Sequence, residues 1–170
     1  MESQDRHSRQ PSGRPLSRRI QARVFLVLNV PMRTILGLPF PTPPGRRLML
    51  LHLTGRRTGR RYRQPVSYVR DAADLLTPGG GNWKLNLRED EPVRIRLRGR
   101  DRLARPELVR DPETVEQLLG VMTAASPMVA RFVAIPKDSA GRYDRARLEL
   151  AIRHGFCIVR WHLEKAGFQP

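Results

Sequence analysis

Residues Leu48–Leu53 form an apolar run broken only by His52, and they pass directly into Thr54-Gly55-Arg56-Arg57-Thr58-Gly59-Arg60-Arg61-Tyr62-Arg63-Gln64-Pro65. An apolar run of this length bounded by glycine reads as a buried strand that empties into a turn. From Arg46 to Arg63 the chain carries seven arginines and no acidic residue. A turn of this kind can offer backbone N–H groups beside guanidinium forks, the usual equipment for holding phosphate or carboxylate groups. The stretch is expected to bind something anionic, the plainer alternative being a solvated basic loop.

The charge of the whole chain points the same way, with a qualification. Its 170 residues carry 32 Lys+Arg against 16 Asp+Glu, a formal net charge of +16. Lys84, Lys137 and Lys165 are the only lysines, so arginine carries nearly all of the excess. Arginine bias alone can reflect genome composition; clustering cannot. A sequence pI near 11.6 favours nucleic acid, anionic lipid or a polyanionic cofactor as partner. The single cysteine, Cys157, lies in the apolar run Phe156-Cys157-Ile158-Val159 and reads as a small buried side chain. His7, His52, His154 and His162 share no metal-ligand spacing, so no structural metal is expected.

One domain suits this length. Residues 1–21 are polar, with Arg6, Arg9, Arg14, Arg18 and Arg19 among Ser, Gln and Pro, and read as a flexible basic arm rather than a signal peptide. Residues 22–170 read as the folded domain. Its first segment, 23–38, is apolar but interrupted by Pro31 and Arg33, which leaves it too short to span a bilayer. A packed N-terminal helix, broken near Pro31, is the expectation; peripheral contact with anionic lipid is the alternative. Strands are expected at Leu48–Leu53, Tyr62–Val69, Asp74–Thr77, Val93–Arg98, Asp101–Val109 and Phe156–Trp161. Val93, Ile95 and Leu97 alternate with Arg94, Arg96 and Arg98, so the apolar set faces inward and the arginines face solvent. Asp111-Pro112 and Ser126-Pro127 are helix starts, and 144–154 forms a further helix stopped by Gly155. Five or six strands with peripheral helices describe an α+β protein built on an antiparallel barrel.

No Ser-His-Asp arrangement, carboxylate pair or HExxH stands out, and no residue is assigned a catalytic role. A chain so poor in proton-transfer groups borrows its chemistry from a cofactor. Leu51–Val69 with Gly79–Leu87, carrying Thr-Gly-Arg-Arg-Thr-Gly, Pro65, Gly79-Gly80-Gly81 and Trp83-x-x-Asn86-Leu87, resembles the deazaflavin-dependent nitroreductase family, relatives of the flavin-binding split β-barrels. The resemblance implies a split barrel that binds coenzyme F420 and passes a hydride to a quinone or nitro compound. It implies that Arg56, Arg57, Thr58 and the Gly59 backbone hold the phosphate, with Arg60, Arg61 and Arg63 near the tail carboxylates. Gly79, Gly80 and Gly81 would admit the ring edge, and Trp83, Lys84 and Asn86 complete the cofactor-binding set. Departures are visible: the tryptophan follows Gly81 closely, Lys84 lies after it, and Tyr62 stands where relatives carry a basic residue. FMN is the alternative cofactor, and a non-catalytic carrier the alternative role. Nucleic-acid binding is disfavoured, since aromatics are only 6% and do not interleave with the basic clusters. The implied protein is cytoplasmic, acts on a small-molecule acceptor and pairs as a homodimer.

Overall fold

The structure, a computed structural model, describes residues 32–39, 43–127, 129, 133 and 135–164. The basic arm, residues 22–31 and Met128 lie outside the described residues. Seven strands form one antiparallel sheet. They are β1 (Leu48–Thr54), β2 (Arg61–Ser67), β3 (Val69–Asp71), β4 (Asp74–Pro78), β5 (Val93–Leu97), β6 (Arg100–Val109) and β7 (Ile158–Leu163). The order across the sheet is β2-β1-β5-β6-β7-β4-β3.

The two edge strands, β2 and β3, are consecutive pieces of one extended segment. A single expected strand, Tyr62–Val69, is therefore bent in two at Tyr68, and the bend curls the sheet into a split barrel. Tyr68 secures the bend. Its N–H donates to the Arg47 carbonyl at 3.0 Å, its phenol O–H donates to the Gly45 carbonyl at 3.2 Å, and its ring is buried. Sequence periodicity does not register such a bend, because both pieces keep their alternation. The last strand begins at Ile158 rather than Phe156, since the Phe156 N–H still donates to the Ala151 carbonyl of the preceding helix.

Two hydrophobic clusters result. Inside the curl, Met49, Leu51 and Leu53 of β1 meet Leu75, Ile95, Leu97, Ala104, Val159 and Trp161. Outside it, Val69, Leu76, Val109 and Ile158 pack against two helices. Helix α1 (Pro112–Ala125) starts on Asp111, whose carboxylate accepts from the Thr114 N–H, and buries Val115, Leu118, Leu119 and Met122. Those spacings place all four on one helical face. Helix α2 (Arg145–Arg153) starts on Asp144, which accepts from the Arg147 N–H, and buries Leu148.

The β5–β6 hairpin follows the expected register, with Ile95 and Leu97 buried and Val93 half-buried. Arg98 and Gly99 take φ of 50° and 80°, the double left-handed turn that matches strand twist. The outward arginines are not all solvated, however. Arg94 is exposed, but Arg96 is half-buried because its guanidinium donates to the Gly37 carbonyl and to Asp101 at 2.8 Å. The helical turn at 32–36 and its exit at Gly37 thus lie against the outer face of β1 and β5, burying Leu36 and Leu50.

His52 shares that outer face. Its Nδ1 faces an Arg94 nitrogen at 3.1 Å, and its Nε2 is buried without a partner. Burial, then the neighbouring Arg94, holds its pKa below the usual histidine range, with Asp101 opposing. The unfolded chain therefore takes up this proton more readily. Stability is full above the ordinary value of about 6.5 and is lost as the pH falls below it. His52→Gln should flatten that acid limb in urea melts taken across the range; an unchanged limb would place the titration elsewhere. Within the core, Leu51→Ala should cost about 2–5 kcal/mol, while Leu103→Ala on the exposed outer face of β6 should stay within about 0.5 kcal/mol. Equal losses would mean that the two faces are misassigned.

Candidate functional site

The arginine turn closes on itself. At the end of β1 the Gly55 N–H donates to the Arg60 carbonyl at 2.9 Å, and the Gly59 N–H donates to the Gly55 carbonyl at 2.8 Å. Gly59 adopts φ 65°, a conformation that costs a side-chain-bearing residue strain. The Arg60 N–H reaches Thr58 Oγ1 at 3.4 Å, and the Arg56 N–H donates to Asn86 Oδ1 at 2.9 Å. This corrects one expectation: the Gly59 backbone is not a free donor. Internal bonds hold the turn in shape, and anion recognition falls to its side chains.

A groove of about 440 Å³ opens beside the turn. Arg60, Arg61 and Arg63 line it with Gly55, Thr58 and Tyr62, and Arg33 enters from the 32–36 helical turn. No acid contributes to the lining. The Nε of Arg33 is buried and has no hydrogen-bond partner. A buried guanidinium nitrogen left unpaired is costly. Among the described residues, none of Arg33, Arg57, Arg60, Arg61 or Arg63 takes part in an ion pair.

The second expected element is joined to the first through Asn86. Asn82–Asn86 form a 3-10 helix, at whose end Asn86 accepts from the Arg56 N–H and donates through Nδ2 to the Tyr62 hydroxyl at 2.7 Å. The Arg56 guanidinium donates to the Leu85 carbonyl at 3.1 Å. Arg56 therefore ties the two turns together, and neither it nor the exposed Arg57 lines the groove. Tyr62 supplies both groove lining and the link to Asn86.

The glycine turn is close-packed rather than open. The Gly79 N–H donates to the Cys157 carbonyl at 2.8 Å. A Cβ on Gly79 would stand 2.6 Å from Cys157 Sγ and 2.9 Å from the Cys157 carbonyl oxygen. Gly80 is exposed with open space around it. Lys84 folds back so that its Nζ donates to the Gly81 carbonyl at 2.9 Å. Trp83 stacks on Trp161 with centroids 6.4 Å apart and planes 15° from parallel, and Trp161 Nε1 donates to the buried Thr77 hydroxyl at 3.1 Å. Gly79, Gly80, Gly81, Trp83 and Lys84 do not line the arginine groove; they reach it only through Asn86. Burial pushes the Cys157 thiol up, with Lys84 opposing, which disfavours its thiolate.

Sequence reasoning missed Arg33, which interrupts an apolar run and was read only as a break in it. Its signal was weak: one basic residue on a short helical turn, distant in sequence from the glycine motif.

Gly79→Ala should destabilise the fold by about 1–3 kcal/mol through overpacking. Adding Cys157→Ala should restore only part of the loss, because the carbonyl contact remains. Full restoration in urea melts would show that the sulfur alone sets the close approach.

Residues 32–134 match the family model of F420H(2)-dependent quinone reductases. Comparison with curated proteins returns no match. Among solved structures, a Listeria innocua protein given the provisional name pyridoxamine 5′-phosphate oxidase is 12% identical, with 70% of this chain and 84% of that one covered and a TM-score of 0.43. A FAD-binding protein from Mesorhizobium loti is 15% identical, with 80% and 90% covered and a TM-score of 0.42. A Bacteroides thetaiotaomicron protein provisionally named for 5-nitroimidazole antibiotic resistance is 13% identical, with 72% and 76% covered and a TM-score of 0.43. The family match takes in the helical turn that carries Arg33, strands β1 to β6 and helix α1, more than half of the chain. With that match over these elements, the chain belongs to the F420H(2)-dependent quinone reductase family.

Proposed function

We propose that the protein binds reduced F420 with its anionic end in the arginine groove and catalyses hydride transfer to a quinone-class acceptor. The observation that carries this reading is a groove lined by Arg33, Arg60, Arg61 and Arg63 and by no acid. The lining fits a cofactor that bears a phosphodiester and glutamate carboxylates, since guanidinium forks match both groups bidentately. When bound, the reduced deazaflavin supplies the hydride, and the protein's own task is orientation and charge complementarity.

The residues divide that task. Arg33, Arg60, Arg61 and Arg63 neutralise the anionic end. Thr58 Oγ1 accepts from the Arg60 N–H and keeps its own proton to donate. Tyr62 is placed likewise: its oxygen accepts from Asn86, which leaves the phenol proton free to donate into the groove it lines. Arg56 and Asn86 fix the distance between the arginine turn and the Trp83 turn. Trp83, stacked on Trp161, and the close-packed Gly79 give the second turn a stiff wall. Leu85, 62% exposed between these residues, offers an apolar contact for a hydrophobic acceptor.

A fluorescence titration with oxidised F420, with FMN in parallel, tests the reading. Saturable F420 binding should weaken roughly tenfold or more, about 1.4 kcal/mol or greater, in the Arg60→Gln/Arg61→Gln variant. Unchanged affinity in that variant, or tighter binding of FMN, would remove the assignment.

A further inference from the structure

The far mouth of the barrel carries arginines where the strand pattern calls for apolar residues. Directly paired residues on antiparallel strands point to the same face. Arg100 pairs with Leu97 and Arg102 with Ile95, while Arg70 pairs with Leu75. Leu75, Ile95 and Leu97 all belong to the interior cluster, so the three arginines hold inward positions at the rim. Arg98 joins them from the hairpin turn. Together with Leu97 and Leu163 they line a second groove of about 440 Å³.

This mouth lies opposite the first groove. Strand β1 runs from Leu48 toward the Gly55–Arg60 turn, and antiparallel β5 sets Arg96 level with Leu50, so the hairpin turn emerges beside the start of β1. The acids near the far mouth take the other face. Asp101 is engaged by Arg96 at 2.8 Å and Arg94 at 4.0 Å, and Asp74 by His162 at 3.2 Å. Asp71 pairs with Asp74 on the face opposite Arg70. Among the described residues, none of Arg70, Arg98, Arg100 and Arg102 has an ion pair or a hydrogen-bonded side-chain partner.

Four guanidinium groups around one opening repel each other, and a ligand that neutralises them removes the repulsion. Arginine rather than lysine favours groups that accept two parallel hydrogen bonds. The leucine floor keeps the groups at the rim and gives an apolar neighbour to whatever carries the charge. We propose that this mouth is a second anion site that takes a phosphate group, separate from the groove beside the Gly55–Arg60 turn. The phosphate can belong to a free small molecule or to a lipid headgroup, and the chemistry of recognition is the same.

The test uses the full chain with Arg60→Gln/Arg61→Gln as background, so that the first groove does not mask the second. Calorimetric titration with inorganic pyrophosphate should show saturable binding, weakened roughly tenfold or more by adding Arg100→Gln/Arg102→Gln. Co-sedimentation with phosphatidylglycerol vesicles, against phosphatidylcholine vesicles, tests the other source. Pyrophosphate binding lost in the variant assigns a free phosphate ligand. Vesicle binding lost in the variant, with pyrophosphate inert, assigns a headgroup. If both probes treat parent and variant alike, the site does not exist. Thermal melts in low salt keep the variant interpretable: relief of repulsion should raise its melting temperature without ligand, and a lowered one would show that the arginines are structural.

Discussion

The bend at Tyr68 governs the rest of the architecture. An antiparallel sheet of seven strands has two edges, and each exposed edge is a template for unwanted pairing. Here one segment supplies both, because β2 pairs with β1 and β3 pairs with β4 on either side of a single residue. The three anchors of Tyr68 (amide, hydroxyl and buried ring) hold the turn of direction. That segment also carries Arg61 and Arg63 on the outer face beside the arginine turn, level with Thr54 and His52, and Arg70 at the far rim, so it delivers charge to both grooves.

Around this frame the packing explains how a chain without catalytic acids or nucleophiles can still shape a site. Strands β4 and β7 are buried on both faces, with Leu75 and Trp161 inward and Leu76 and Ile158 outward. Such strands move little, since every shift opens a void on one side or forces a clash on the other. Trp83 rests on Trp161, and Gly79 rests on Cys157, so the second turn inherits their rigidity. Asn86 then transfers that position to Arg56 and Tyr62. These contacts fix the relative placement of the two turns, and fixed placement is what a site can supply without reactive side chains.

The fold was largely legible in the sequence, and the site was legible in part. Alternation at Val93–Leu97 and the apolar run at Leu48–Leu53 each gave a strand close to its observed span, the first because one face is buried and the second because β1 is covered on both faces. The Asp111-Pro112 start was legible because capping is local chemistry. What escaped has a common cause: it depends on contacts remote in sequence. Arg96 alternates like Arg94, yet the Gly37 carbonyl buries it partly. Arg56 sits in the motif as plainly as Arg60, yet its guanidinium turns to Leu85. Gly59 had the composition of an anion-binding turn, but its N–H was already engaged by Gly55. Motif spacing singled out two turns that the structure joins through Arg56 and Asn86; which arginines line the groove needed the geometry.

Arginine bias and arginine function can now be separated by partners rather than by number. On the outer faces, Arg88, Arg94, Arg96, Arg105, Arg142, Arg145, Arg147 and Arg160 all find a carboxylate within 4.0 Å. Exposed pairs of that kind contribute little to stability, but they do spread charge and keep the surface mixed. Among the described residues, the arginines that line the two grooves have no such partners. Other arginines without an ion pair among the described residues (Arg46, Arg47, Arg56, Arg57, Arg110 and Arg153) lie elsewhere, but each groove gathers four arginines and no acid in its lining. Concentrating like charge costs folding energy, and the cost is offset only when an anion is bound. The placement of the charge, more than its total of +16, is what sets the two grooves apart from the rest of the described surface.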